Sequence, residues 1–151
     1  MSKLFLMCGF PGSGKSTYLK NHCGDNDVIV SRDAIRFSMV AEDEEYFAKE
    51  KEVFAEFCKQ ISENLAVGYN VFADATHLNA ASRKKVIDNV TGYDMIGAIV
   101  IDTSLTEALK RNSNRTGREF VPPSVIRRMA AQFEFPDITE NFDVVYEVKG
   151  E

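Results

Sequence analysis

Residues 9–16 have the sequence GFPGSGKS, which matches the pattern G-x-x-x-x-G-K-[ST]. The apolar run at residues 3–8 predicts a buried strand before this stretch, and a helix is predicted after it, from Ser16 to about His22. A glycine-rich turn between a strand and a helix can wrap its backbone N–H groups around a phosphate, and the helix adds the positive end of its dipole. An ordinary glycine-rich turn is the alternative, but the strand–loop–helix context favours a phosphate-binding loop.

Each residue type in this loop suits phosphate chemistry. The glycines let the backbone approach the phosphates, the Lys15 ammonium suits the β- and γ-phosphates, and the Ser16 hydroxyl suits Mg²⁺. We therefore expect ATP, or another nucleoside triphosphate, together with Mg²⁺. The predicted nucleotide-binding residues of the loop are Gly9, Gly12, Ser13, Gly14, Lys15, Ser16 and Thr17. The sequence lacks the N-K-x-D pattern that GTPases use to bind their base, and its 151 residues favour a small phosphotransferase over a motor ATPase.

Strands and helices alternate along the whole chain. Strands are predicted at residues 3–8, 28–31, 70–74, 95–101 and 142–148. Between the second and third strands, the spacing of apolar residues over 44–66 predicts one long amphipathic helix with a buried stripe that begins at Phe47. This alternation predicts an α/β fold with a single domain over residues 1–151, built as a three-layer α/β/α sandwich around a mainly parallel five-stranded sheet.

The residues that follow the predicted strands are candidates for catalysis, because ligands of such sheets bind at the carboxyl ends of the strands. After the second strand, Asp33 and Arg36 are three residues apart at a helix start, so they share one face. There a carboxylate can accept the proton of an attacking hydroxyl while a guanidinium holds a substrate phosphate. The alternative makes Asp33 a helix cap and Arg36 a surface partner.

The third and fourth strands also end in polar residues. Asp74 and Thr76 follow the third strand, where Asp74 can hold metal-bound water and Thr76 a substrate phosphate; alternatively, both cap the following turn. Together with Arg36 they form the predicted substrate-binding set. His77 can line the same cleft, although a lone histidine is more often structural, and Asp102 follows the fourth strand.

Residues 112–123, NSNRTGREFVPP, predict an arginine-rich lid, since the segment is polar, contains a glycine and ends in two prolines. Arg115 and Arg118, with Arg111 one turn earlier, can fold over the triphosphate and stabilise charge on the transferred group. Arg111 and Arg115 therefore join the predicted nucleotide-binding residues. The alternative is a solvated basic loop.

The net charge of −5 belongs to one part of the chain: residues 41–63 alone carry −5, whereas residues 78–128, which include the lid, carry +4. An acidic total excludes a protein that coats nucleic acid, which must neutralise many phosphates. It does not exclude an enzyme that holds one chain end. The three cysteines have no metal-binding spacing, and no signal sequence or membrane-length apolar run is present. We expect a cytoplasmic protein without a membrane partner, of unspecified oligomeric state.

Four stretches together resemble the kinase domain of bacteriophage-type polynucleotide 5′-hydroxyl kinases, within the small P-loop kinases of the P-loop NTPase superfamily. They are GFPGSGKST, SRDAIRFSM, DATHLN and LKRNSNRTGREFVPPSVIRRM, and they extend over nearly the whole chain. All P-loop enzymes share the first stretch. The S-R-D-x-x-R element and the lid, followed by x-I-R-R-M, are much more selective.

The resemblance implies an enzyme that transfers the γ-phosphate of ATP or another nucleoside triphosphate to the 5′-OH end of DNA or RNA. It implies that Asp33 is the general base and that Arg36, assisted by Thr76, binds the acceptor's 3′-side phosphate. Arg115 would be the lid arginine, supported by Arg111. Many members fuse this domain to a D-x-D-G-T phosphatase or to a ligase, and neither motif occurs here. A small-molecule kinase and a non-catalytic ATP-binding module remain as alternatives.

Overall fold

A computed structural model describes residues 1–150 of the chain. Within these residues the chain forms five β-strands, six α-helices and two short 3₁₀ helices. The strands are β1 (Lys3–Cys8), β2 (Asp27–Ser31), β3 (Asn70–Asp74), β4 (Met95–Asp102) and β5 (Val144–Lys149). The α-helices are α1 (Lys15–His22), α2 (Arg32–Met39), α3 (Glu50–Ala66), α4 (Ala80–Ile87), α5 (Leu105–Ser113) and α6 (Pro123–Gln132). The 3₁₀ helices are Gly117–Glu119 and Ile138–Glu140.

The strands form one parallel sheet in the order β2-β3-β1-β4-β5. β1 is the central strand, with Leu4 opposite Val71 of β3 on one side and Ile96 of β4 on the other. Parallel neighbours require crossover connections, and helices supply them along this chain. The predicted α/β class with a five-stranded sheet is confirmed, and the sheet is parallel throughout the described residues.

Helices cover both faces of the sheet because successive residues of a strand point to opposite sides. On one face, Leu4 and Leu6 of β1 pack in a buried apolar cluster with Phe57 of α3. On the other face, Met7 of β1 packs with Leu19 of α1. A strand buried on both faces needs an apolar residue at nearly every position, which is what β1 and β4 have.

The long helix predicted over residues 44–66 begins only at Glu50, so the predicted boundary is wrong. Residues 41–49, which we call the acidic turn segment, form turns instead. Side chains compete with helical hydrogen bonds there: the Glu44 carboxylate accepts the N–H of Ala41 at 3.0 Å, and Lys49 Nζ donates to the carbonyl of Met39 at 2.8 Å. Phe47 was predicted to begin the buried stripe but is 55% exposed.

The carboxyl ends of β1, β2 and β3 meet at one edge of the sheet. Ser31 at the end of β2 lies opposite Asp74 at the end of β3, and β3 pairs with β1, which leads into the glycine-rich loop. The segments that follow these three strands therefore share one cleft. Among residues 1–150, no helix has the length and apolar character needed to cross a membrane.

Candidate active site

The glycine-rich loop has the backbone conformation that its sequence requires. Gly12 and Gly14 have φ angles of +83° and +103°, a region that glycine adopts readily. A Cβ atom at Gly12 would lie 2.5 Å from the carbonyl oxygen of Ala108 in α5, so a side chain there would force the backbone apart. α1 begins at Lys15, and Gly14 at its N-cap has no side chain to occupy the N–H groups of the first turn. Those N–H groups and the helix dipole are therefore available to an anion.

The loop is anchored to the strands on both sides. The N–H of Gly9 donates to the carbonyl of Thr76 after β3 at 2.9 Å. On the side of β4, the hydroxyl of Thr103 donates to the carbonyl of Ser13 at 2.5 Å, next to the exposed Asp102. Ser13 itself is buried, with 1% of its surface exposed. These contacts hold the loop in one position relative to the sheet.

Lys15 reaches back across the loop and lies among the other predicted charged residues. Its Nζ atom donates to two carbonyl oxygens of the loop, at 2.6 Å and 3.2 Å. Burial lowers the pKa of Lys15, the carboxylates of Asp74 and Asp33 oppose this shift, and the charge of Arg115 adds to it. Asp33, Asp74 and Arg115 are thus close enough to Lys15 for their charges to change its pKa.

Asp33 lies in the first turn of α2 with one carboxylate oxygen held and the other open. Ser31 caps this helix by accepting the N–H of Ala34 at 3.2 Å, so the alternative that Asp33 is the cap is wrong. NH1 of Arg36 lies 2.5 Å from Oδ1 of Asp33, and the Tyr46 hydroxyl donates to the same oxygen at 3.1 Å. Within residues 1–150, Oδ2 accepts no hydrogen bond, and the side chain is 66% exposed. Asp33 can therefore accept a proton from a group that enters the cleft.

Arg36 is buried, with 7% of its side chain exposed, so it is not a surface partner. Its Nε and NH2 atoms donate to the two carboxylate oxygens of Glu50 at 3.1 Å and 2.6 Å, and NH1 also donates to the Tyr46 hydroxyl. Arg36 thus holds Asp33 in place, and its predicted contact with a substrate phosphate stays a prediction. Sequence reasoning missed Tyr46 and Glu50, because no spacing rule connects them with Asp33.

Asp74 and Thr76 lie beside the glycine-rich loop. Burial raises the pKa of Asp74, and the neighbouring Lys15 ammonium opposes that shift. The side chain of Asn79 caps the following helix α4, and within residues 1–150 the side chains of Asp74 and Thr76 form no hydrogen bond with the turn that follows β3. Their positions agree with a role toward a bound phosphate or metal-bound water, which stays a prediction.

His77 is a structural residue rather than a lining of the cleft. It is 4% exposed, it has a φ angle of +43°, and Nδ1 lies 2.5 Å from the carbonyl oxygen of Met7 in β1. NH1 of Arg83 donates to the carbonyl of His77 at 2.8 Å. His77 therefore holds the segment after β3 against β1.

The burial of His77 predicts a pH dependence of stability. Burial lowers the pKa of His77 from 6.5 to about 4. Between these values the unfolded chain binds a proton that the folded chain does not. The neutral histidine's contribution to the free energy of unfolding is therefore complete above pH 6.5 and is lost as the pH falls toward 4. We expect the free energy of unfolding of His77→Gln, measured by urea titration, to fall less between pH 7 and pH 5 than that of the natural protein. The exposed His22→Gln is the control, and an equal fall in His77→Gln and the natural protein would contradict the prediction.

The predicted lid divides into two parts. Arg111, in α5, has its Nε atom 3.3 Å from the Glu107 carboxylate, and among residues 1–150 its buried NH1 atom has no hydrogen-bond partner. Arg115 is half-buried near Lys15, and its NH1 lies 3.4 Å from the carbonyl of Glu119. Within residues 1–150, both arginines therefore keep donor groups that no other residue uses, and the charge of Arg115 acts on Lys15 of the glycine-rich loop.

Arg118 has a different position from the one predicted for a residue that covers the triphosphate. Its NH1 donates to the carbonyl of Phe37 at 3.3 Å and its NH2 to the carbonyl of Val40, at the carboxyl end of α2. Its guanidinium also lies 4.7 Å from the centre of the Phe37 ring. A cation at a helix carboxyl end is stabilised by the free carbonyls there, so Arg118 attaches the segment of residues 112–123 to α2.

These groups fit a nucleoside triphosphate with Mg²⁺. The exposed hydroxyl of Ser16 and the Asp74 carboxylate are oxygen ligands of the type that Mg²⁺ prefers. The unpaired NH1 of Arg111 is a buried donor suited to a phosphate oxygen. The space beside the Cα atom of Gly12 is filled by the backbone of α5, so it is not part of the ligand site.

A parallel α/β sheet whose first strand leads into a glycine-rich phosphate cradle defines the class of P-loop nucleotide-binding proteins. The family model described as AAA domain (AAA_33) matches residues 4–136, and the chain belongs to this family.

Solved structures with the same fold include a chain of an RNA repair complex, a sugar kinase and a protein bound to ADP-AlF3. A chain of the Pnkp1/Rnl/Hen1 RNA repair complex is 29% identical, with a TM-score of 0.76 over 94% of this chain and 46% of that one. This chain therefore spans about half the length of that protein. An unliganded sugar kinase from Janibacter sp. HTCC2649 is 15% identical (TM-score 0.68, 99% of this chain and 86% of that one). Kti12 of Chaetomium thermophilum, in complex with ADP-AlF3, is 16% identical (TM-score 0.66, 97% and 88%). The chain has a P-loop kinase fold, which implies nucleotide binding.

Proposed function

We propose that this chain is an ATP-dependent polynucleotide 5′-hydroxyl kinase with Asp33, Lys15 and Arg115 as catalytic residues. The proposal is carried by the carboxylate of Asp33, which is oriented through Oδ1 and open at Oδ2 in the cleft that contains Lys15. Such a carboxylate is what a general base requires. A module that only binds ATP has no need for one.

In the proposed reaction, Oδ2 of Asp33 accepts the proton of the 5′ hydroxyl while the oxygen of that hydroxyl forms a bond to the γ-phosphorus. The bond from the γ-phosphorus to the bridging oxygen breaks, and ADP leaves with the electron pair. Lys15 and Arg115 stabilise the negative charge that spreads over the transferred group. When bound at Ser16, Mg²⁺ would supply further neutralisation of the β- and γ-phosphates.

A polynucleotide acceptor is supported by sequence similarity, both in particular motifs and over the whole chain. The S-R-D-x-x-R element and the lid resemble those of polynucleotide kinases, and the 29% identity to a chain of an RNA repair complex extends over 94% of this chain. Arg36, Asp74 and Thr76 would contact the acceptor strand. The proposal treats residues 1–151 as one cytoplasmic catalytic domain, with residues 112–123 as its lid.

A small-molecule kinase is the second candidate. It is favoured by the sugar kinase and by a gluconokinase from Sinorhizobium meliloti 1021. This chain covers 86% of the sugar kinase chain and 82% of the gluconokinase chain. In the RNA repair chain the coverage is 46%. The same glycine-rich loop, base and lid serve either acceptor.

A competition among acceptors tests the assignment. The protein is incubated with Mg²⁺ and radiolabelled ATP in the presence of a 5′-OH oligonucleotide, a nucleoside mixture, gluconate and simple sugars. We expect label on the oligonucleotide at its 5′ end, removable by a phosphatase, and none on the other acceptors. Lys15→Ala should abolish the transfer, because it removes the charge that binds the β- and γ-phosphates.

Label that appears only on a sugar or a nucleoside would replace the polynucleotide assignment with the second candidate. ATP binding by calorimetry without transfer to any acceptor would instead support a binding module.

A further inference from the structure

An aromatic side chain lies exposed beside the residues that hold the candidate general base. Phe47 of the acidic turn segment is 55% exposed, and its ring centre lies 4.7 Å from that of Tyr46 at an interplanar angle of 88°. The Arg36 guanidinium lies 5.4 Å from the centre of the Phe47 ring and 4.8 Å from that of Tyr46. The hydroxyl of Tyr46 is the group that holds Oδ1 of Asp33. Phe47 therefore contacts the same tyrosine that holds the candidate general base.

The turn segment holds this ring in place from both ends. Lys49 Nζ donates to the carbonyl of Met39, and the N–H of Ala48 donates to the carbonyl of Glu45 at 3.0 Å. The edge-to-face contact with Tyr46 and the cation from Arg36 fix the ring further. Since more than half of the side chain is exposed, the ring presents apolar surface to solvent next to the residues that hold Asp33.

The charge around this ring indicates which part of a substrate it suits. The acidic turn segment that carries the ring has a net charge of −3, from four acids and Lys49, so it disfavours a phosphate and does not repel a neutral planar group. The 5′-terminal nucleoside of a 5′-OH polynucleotide has a phosphate only on its 3′ side, so its base and the 5′ side of its sugar are uncharged. Every base has a π face that stacks on an aromatic side chain.

We propose that Phe47, supported by Tyr46, is the stacking platform for the base of the 5′-terminal nucleoside. The inference rests on the proposed polynucleotide kinase function and adds the residue that recognises the acceptor's first nucleoside. Stacking of this kind accepts all bases, because it uses no hydrogen-bond pattern. It places the nucleoside so that its 5′ hydroxyl meets Asp33.

The test compares two oligonucleotides that differ only at the 5′-terminal residue, one with a normal nucleoside and one with an abasic sugar. With the normal end, we expect Phe47→Ala to raise the KM for the oligonucleotide about 10-fold, while the KM for ATP changes less than about twofold. Phe47→Trp should keep the natural KM. With the abasic end, the natural protein and Phe47→Ala should have the same KM, since no base is present to stack.

Tyr69→Ala is the matched control, because Tyr69 is 39% exposed and precedes β3. It therefore lies at the amino ends of the strands, opposite the carboxyl ends where the candidate site is. It should leave both KM values unchanged. If the natural protein phosphorylates the oligonucleotide and Phe47→Ala has an unchanged KM, or an equal increase on both ends, the stacking role is wrong and the kinase assignment stands. If the natural protein phosphorylates no oligonucleotide, the proposed function fails and this inference fails with it.

Discussion

Asp33→Asn should lower kcat for transfer to a 5′-OH oligonucleotide at least about 100-fold, because general-base assistance is typically of that size. Asparagine retains an oxygen that can accept the hydrogen bonds from Arg36 and Tyr46, so the local structure should persist. It cannot take up the proton of the attacking hydroxyl. ATP affinity, measured by calorimetry with Mg²⁺, should change less than about twofold, since the glycine-rich loop and Lys15 bind the donor.

The control for this variant is Asp43→Asn, which removes an exposed carboxylate from the acidic turn segment. It should retain the natural kcat. Turnover in Asp33→Asn equal to that of Asp43→Asn would remove Asp33 from the mechanism. A parallel loss of ATP binding would show that the effect lies in the donor site rather than in proton transfer.

Glu140→Ala should lower the free energy of unfolding by about 3–5 kcal/mol, which is typical when one partner of a buried ion pair is removed. Glu140 accepts from Nε and NH2 of Arg83 at 2.7 Å and 3.0 Å, and the Arg83 side chain is 0% exposed. Without the carboxylate, a buried guanidinium loses its compensating charge. Urea unfolding followed by circular dichroism measures the difference.

The neighbouring Lys84 supplies the control, because it forms an exposed ion pair with Asp88, the residue that follows α4. The two side chains are 74% and 54% exposed. Lys84→Met should change the free energy of unfolding by less than about 0.5 kcal/mol, as exposed pairs do. The double variant Arg83→Met with Glu140→Ala should recover part of the loss, since no charge is left buried. Equal effects of Glu140→Ala and Lys84→Met would contradict the assignment of a buried pair.

Much of the fold and part of the site follow from local sequence. The glycine-rich loop, Lys15 and the strands that flank it could be predicted, because each depends on residues adjacent in the chain. Asp33 and Asp74 could be selected because they follow strands whose ends meet in any parallel sheet. Tyr46 could not be found in this way, since it contacts Asp33 across a separation of 13 residues that includes the end of α2 and a turn.

The acidic turn segment shows why a regular pattern can mislead. The apolar spacing continues without a break from Phe47 into α3, so periodicity alone extends the helix to residue 44. Contacts of Glu44 and Lys49 with nearby backbone groups stabilise turns instead, and helix α3 starts at Glu50. Glu50 then has its carboxylate directed at Arg36, a role that its position in the sequence does not indicate.

The sequence by itself determined that this protein is an α/β protein with a phosphate-binding loop, because strand, turn and helix formation there depends on near neighbours. The tertiary structure decided what the charged side chains do. Arg83, one of the bases in the +4 region, lies in the interior as the partner of Glu140, 57 residues away, and Arg118 attaches residues 112–123 to α2. Burial and charge pairing depend on which distant segments meet, and the packing of the helices against the sheet determines those meetings.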